Sequence, residues 1–120
     1  MRRLPLLLGL LALAAVLVLA GCGGGSGGNG GADAAPVSGV TQVAAKDNPF
    51  SPPAIQVPAG TVVTWTFKDR FAPHDVAGEG WRSGEPLRRG TFAHTFDQPG
   101  TYPYHCTVHD GMTGRVVVTG

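Results

Sequence analysis

Charge is scarce in this sequence: nine of its 120 residues are Lys or Arg and eight are Asp or Glu. The basic residues form no stripe of the kind that neutralises phosphates, so nucleic acid is not an expected partner. Helical patterning is missing too. From Val40 onward no stretch long enough for a helix repeats its apolar side chains at helical spacing. The 19 glycines and 10 prolines further disfavour helix and suit short strands joined by turns. Cysteine is limited to Cys22 and Cys106. Two cysteines in an exported chain are by default read as a disulfide. Each of these stands in a local context that gives it a separate role, so no disulfide is expected.

One long apolar run is present, Leu4 to Ala20, behind the basic head Met1-Arg2-Arg3. A basic head and a compact apolar stretch form a secretory signal peptide. The competing reading is a membrane span, for which about 20 apolar residues suffice. The ending Leu19-Ala20-Gly21-Cys22 decides against a span, because it resembles the bacterial lipobox, whose cysteine is lipidated and becomes the new N-terminus. The head is too short for a twin-arginine signal. Residues 1–21 are therefore read as a lipoprotein signal peptide. Residues 22–39 are read as the lipidated Cys22 and a flexible glycine-rich linker, and 40–120 as the folded domain. The linker, Gly23 to Gly39, has an expected reach of roughly 20–25 Å. Without Arg2 and Arg3, seven basic residues face eight acidic ones, so the mature chain is nearly neutral at −1. The expected location is the extracytoplasmic side of a bacterial membrane, in the periplasm or at the cell surface.

The folded part alternates. Thr61 to Phe67 puts Val63, Trp65 and Phe67 on one face and Thr64 and Thr66 on the other. Such period-two patterning with β-branched and aromatic residues predicts a half-buried strand. Thr91–Phe96, Thr101–Cys106 and Arg115–Thr119 are predicted strands on the same grounds, and Val40–Ala45 and Ile55–Val57 are weaker ones. Pro58-Ala-Gly60 and Pro99-Gly100 supply turns. The fold class expected is all-β, a Greek-key sandwich or barrel. A domain of this size can bury a core of its own.

The segment from Tyr102 to Met112, Tyr-Pro-Tyr-His-Cys-Thr-Val-His-Asp-Gly-Met, places Cys106, His109 and Met112 three residues apart between two strands. A second imidazole, His74, follows the Trp65 strand in Phe71-Ala-Pro-His-Asp-Val76, in a loop that a sandwich can bring to the same end. Taken singly, each is ordinary: a loop histidine, a buried thiol, a core methionine. Together, two imidazoles and a thiolate in a plane with a weak axial thioether are the blue-copper donor set. The sulfurs favour Cu(I) and the imidazoles accept Cu(II), so one copper ion is the expected cofactor. By alternation His94 shares the Phe92–Phe96 face and His105 points away from Cys106, so both read as structural. Trp65 reads as core and Trp81 as loop packing.

From Asn48 to Thr119 the sequence resembles the cupredoxins of the plastocyanin, pseudoazurin and amicyanin branch. The matching stretches are Asn48-Pro-Phe-Ser-Pro52, Val57-Pro-Ala-Gly-Thr-Val-Val-Thr-Trp65, His74-Asp-Val76, Thr95-Phe-Asp-Gln-Pro-Gly-Thr-Tyr102 and Cys106-Thr-Val-His-Asp-Gly-Met112. The two-residue gaps on either side of His109 are like the short ligand loops of amicyanin and pseudoazurin. The resemblance implies one-electron transfer between extracytoplasmic redox proteins, with the edge of His109 as the exposed port. It also implies that Asp75, where the family often has Asn, accepts a hydrogen bond from Thr107 and braces the two ligand loops.

Two other functions remain in view. A copper-delivery protein generally uses clusters of Met and His, and here Met112 is the only methionine besides Met1. The other is an oxidase or nitrite reductase: multicopper oxidases flank the ligand Cys with His on both sides, here Thr107 takes one of those places, and the sequence has no other His-rich segment. A binuclear copper centre needs a second nearby cysteine. The expectation is a carrier and not an enzyme.

Overall fold

The computed structural model describes residue 31 and residues 33–120. The expected signal peptide, Cys22 and the glycine run up to residue 30 lie outside the described residues.

Ten strands and no helix make up the described part. They are β1 (Val37–Ser38), β2 (Gln42–Ala45), β3 (Phe50–Ser51), β4 (Ala54–Pro58), β5 (Thr61–Lys68), β6 (Ala77–Gly78), β7 (Trp81–Arg82), β8 (Arg89–Phe96), β9 (Gly100–His105) and β10 (Thr113–Thr119). The six strands read from the sequence are all present, with ends shifted by one or two residues. The two-residue strands β1, β3, β6 and β7 are additions, since two residues cannot display an alternation.

The strands form two sheets, β1-β4-β10-β9-β6-β7 and β3-β2-β5-β8. The β4/β10 and β2/β5 pairs are parallel. Parallel neighbours cannot be joined by a hairpin, so the chain crosses between the sheets and forms the all-β sandwich expected from the sequence. The register keeps the alternation of β5. Val63, Trp65 and Phe67 are buried, while Val62 is half exposed. Trp65 is fully buried and lies at the centre of the core, with ring centroids 5.2 Å from Tyr104, 5.5 Å from Trp81 and 5.9 Å from Phe92. Gly78 permits the approach of Trp81, because a Cβ there would run into the Trp81 ring. That ring then stacks on His94 at 4.6 Å and 13°, so His94 is a packing residue as its face predicted.

The sheet begins ahead of Val40. Val37 and Ser38 pair with Ile55 and Gln56, and the Arg115 guanidinium donates to the Ala34 carbonyl at 2.7 Å.

Sheet register also explains how residues far apart in sequence meet at one end. Thr113 and Ala77 are both paired with His105, one on each side of β9. The loop after β9 and the loop before β6 therefore leave the sheet side by side. His74 is held on its other flank by a two-way backbone bridge to Leu87, with bonds of 2.9 and 2.8 Å.

Candidate metal centre

Residues 106–112 form a closed loop whose feet rest on the His105/Thr113 pair. Within it the Cys106 N–H donates to the Met112 carbonyl at 2.9 Å, and the Met112 N–H to the His109 carbonyl at 3.3 Å. These bonds pin both feet and leave His109 at the apex. Cys106 and Met112 are buried, His109 is half-buried, and all three line one concavity.

The other loop delivers His74, which is completely buried. Its Nδ1 lies 4.0 Å from Cys106 Sγ, and His109 Nδ1 lies 3.6 Å from the same sulfur. The two imidazoles face each other with centroids 4.6 Å apart. One donor atom from each of His74, Cys106 and His109 falls within 4.8 Å of the others. Transition-metal bonds of roughly 2.0 Å to nitrogen and 2.3 Å to thiolate, set about 120° apart, place nitrogen and sulfur about 3.7 Å from each other. The measured separations bracket that value, so the three side chains fit around a single ion. Cys106 is a free thiol. The remaining histidines stand apart: His105 is exposed at the end of β9, and His94 lies under Trp81.

Asp69, which sequence reasoning passed over, completes the arrangement. Its Oδ2 lies 2.7 Å from His74 Nε2. It also accepts the N–H groups of Phe71 at 2.8 Å, Ala72 at 3.3 Å and Asp47 at 3.2 Å. The Phe71 N–H above all, then His74, holds this carboxyl well below the usual carboxylate range. An ionised Asp69 can only accept, so Nε2 carries the proton and the Nδ1 lone pair is left facing Cys106. An Asp five residues ahead of a His carries no periodic signal. The clue available was chemical: a metal-binding His places its second nitrogen against a carboxylate, a carbonyl or water. Asp69→Ala is expected to lower copper affinity 10- to 100-fold, read by competition with a chelator of known affinity. The folded value is depressed below 3.8, so the stability this carboxylate adds is complete above that pH. It is lost as pH falls towards the folded value.

Asp75 is buried and reaches across to the other loop. It accepts the Thr107 N–H at 2.7 Å on Oδ1 and the Thr107 hydroxyl on Oδ2. Burial by itself pushes this carboxyl up. The two Thr107 bonds, helped by the Cys106 thiol and Arg82, outweigh it and hold the group below its ordinary value.

No family model matches the chain. It is 39% identical over 88 residues to amicyanin-alpha of Methylorubrum extorquens, a match that takes in 68% of this chain and 73% of that protein. The chain is a cupredoxin. The amicyanin of Paracoccus denitrificans is 36% identical over 76 residues, covering 58% of this cupredoxin and 57% of that relative. In structure it is similar to a reduced amicyanin variant, with a TM-score of 0.57, 34% identity, and 68% of this chain and 83% of that one covered. The cofactor of this cupredoxin is one copper ion. Cupredoxins carry electrons, and this one is a carrier rather than an enzyme.

Proposed function

We propose that this cupredoxin shuttles single electrons between redox proteins outside the cytoplasm, with copper held by His74, Cys106, His109 and Met112. The observation that carries the reading is the meeting of one thiol and two Nδ1 atoms within 4.8 Å in a buried pocket. When bound there, copper supplies the Cu(I)/Cu(II) couple. The protein supplies rigidity. Asp69 holds the His74 ring in one tautomer and one orientation, and the Cys106 N–H bond to Met112 pins the feet of the second loop. Asp75 ties that loop to the first through Thr107. Donors held this way move little when the charge at the centre changes, which keeps the barrier to electron transfer low. Cys106 would hold the copper as the strong thiolate donor, His74 and His109 as imidazole donors, and Met112 as a weak thioether donor. Burial keeps water from the centre, and the half-buried edge of His109 is the port.

In this reading residues 1–21 direct export, Cys22 carries the lipid, and the glycine-rich stretch after it joins it to the domain, whose first strand, at Val37–Ser38, takes in the end of the expected 22–39 linker. The shuttle then works on the outer side of a bacterial membrane, in the periplasm or at the cell surface.

The test is a Cu(II) titration of a soluble chain that starts at residue 33 and so keeps the Ala34 and Val37–Ser38 contacts. An intense blue colour that bleaches on reduction, with copper retained against a competing chelator, is the expected result. A colourless complex overturns the ligand set, and rapid loss of copper to the chelator points to metal delivery instead. The Asp75 brace has its own check. Asp75→Ala is expected to weaken copper binding 10- to 100-fold and to shift the reduction potential. Unchanged affinity, spectrum and potential would remove Asp75 from the site.

A further inference from the structure

Four cations cluster beside the metal centre, none within 4.0 Å of a carboxylate among the described residues. Lys68, Arg70, Arg88 and Arg89 are all exposed. The β5/β8 register sets Lys68 directly opposite Arg89, a like-charge pair that weakens the strand pairing. Arg70, Arg88 and Arg89 line one concavity of about 390 Å³ together with Asp69. Among the described residues the one His, Lys or Arg group within 4.0 Å of a carboxylate is His74, on Asp69. Asp69 is already occupied by His74 and by the N–H groups of Phe71, Ala72 and Asp47. The fold therefore sets four positive charges against the single carboxylate of Asp69, one pair of them at a cost to its own ladder.

The position of the cluster gives it a use. Asp69 also lines a second concavity, with Phe71, Val108 and His109, so the basic notch and the His109 edge belong to one face. That face is apolar around the port, where Phe71 is 87% and Val108 43% exposed, and Leu87, also 43% exposed, stands at the start of the basic run. Leu87, bridged to His74, is followed directly by Arg88 and Arg89. Asp47 and Asp110 line the concavity at the port and not the notch. The face is thus electrically lopsided, with its excess positive charge on the Arg88–Arg89 side.

Building on the electron-carrier reading, we propose that this face docks a redox protein whose own port is apolar and flanked on one side by carboxylates. The notch lined by Arg70, Arg88 and Arg89, with Lys68 opposite Arg89, receives the carboxylates, while Phe71 and Val108 make the dry contact over His109. Charges at the rim of such a contact act on encounter and orientation more than on lifetime. Their signature is a salt-sensitive association rate.

The experiment uses the full, copper-loaded chain and two forms of one probe. These are a basic mitochondrial-type cytochrome c and the same protein succinylated, which converts its lysine amines to carboxylates. One electron passes between the haem iron and the copper in the downhill direction, so one metal is oxidised as the other is reduced. The second-order rate is followed by stopped flow at low and high salt. The succinylated form is expected to react about tenfold faster or more at low ionic strength, with the advantage collapsing as salt is added. A variant carrying both Arg88→Glu and Arg89→Glu is expected to lose that advantage while keeping its blue spectrum. It also gains an attractive Lys68–Glu pair in the ladder, so a lost rate with undiminished stability isolates docking from folding. A faster reaction with the basic form, or a variant whose rates match the parent, overturns the proposal. So does millimolar phosphate cancelling the preference beyond sodium chloride of equal ionic strength, which would make a small anion the occupant. Exchange with neither probe by a blue, copper-loaded protein overturns the carrier reading itself, and docking with it.

Discussion

Cys106→Ser is expected to abolish the intense visible absorption of the copper-loaded protein and to lower copper affinity on the order of 100-fold or more. Loss of a residue that merely orients a ligand costs 10- to 100-fold, and in the proposed ligand set Cys106 supplies a donor atom that no neighbour can replace. Its sulfur lies 3.6 and 4.0 Å from the two imidazole nitrogens. A serine oxygen is harder, protonated at neutral pH and carried on a shorter bond. It neither matches Cu(I) nor reaches the same point between the nitrogens. The fold should survive. Cys106 sits at the end of β9, and the loop bonds from its N–H to Met112 and from Thr107 to Asp75 do not involve the sulfur as an anchor. Visible spectroscopy beside a metal-free unfolding curve separates the two effects. A variant that remains intensely blue would show that the thiolate lies elsewhere in the chemistry, and the proposed ligand set would fall with it.

Trp65→Ala should be the most damaging substitution for the fold itself, costing about 3–5 kcal/mol in the metal-free protein. The side chain is completely buried and packs against Trp81, Phe92, Phe96 and Tyr104, which come from both sheets. Removing it opens a cavity that neither sheet can close without abandoning its register. A domain of this size has only about 5–15 kcal/mol of stability in total, so a large part of the metal-free variant should be unfolded at elevated temperature. Copper binds the folded state alone and should restore part of the loss. Trp65→Phe makes a useful contrast. The buried indole Nε1–H makes no hydrogen bond of good geometry and has only the Tyr104 hydroxyl beside it, so phenylalanine gives up volume but also removes a poorly satisfied polar group. Urea unfolding of the metal-free proteins should place Phe well above Ala. A shift of under about 1 kcal/mol for Trp65→Ala would mean that the two sheets are not held together through this ring.

The unequal legibility of the site follows from distance along the chain. Cys106, His109 and Met112 are three residues apart and could be read as one loop between two alternating segments. His74 could be named as a candidate donor, but nothing local says that it meets Cys106, 32 residues away. Asp69 was invisible for a related reason. It is an acidic loop residue whose importance lies wholly in a contact with one buried imidazole nitrogen. Trp81 offered only a packing role in a loop. Its stack on His94 depends on Gly78 leaving room beneath the ring. The basic notch was equally hidden, because Lys68 and Arg88–Arg89 come together only when β5 and β8 are paired.

The sequence by itself determined the six longer strands, since alternation of apolar and polar residues is a local property that burial of one sheet face enforces. It also determined the chemistry of the donor set, because soft sulfur and imidazole side chains keep their character in any fold. Only the tertiary structure decided which groups face one another. The pairing of Thr113 and Ala77 with His105 sets the two loops side by side, and the Leu87 bridge turns His74 towards the sulfur. Asp69 then selects the ring nitrogen left free. Those contacts are long-range consequences of sheet register, and no window of neighbouring residues contains them.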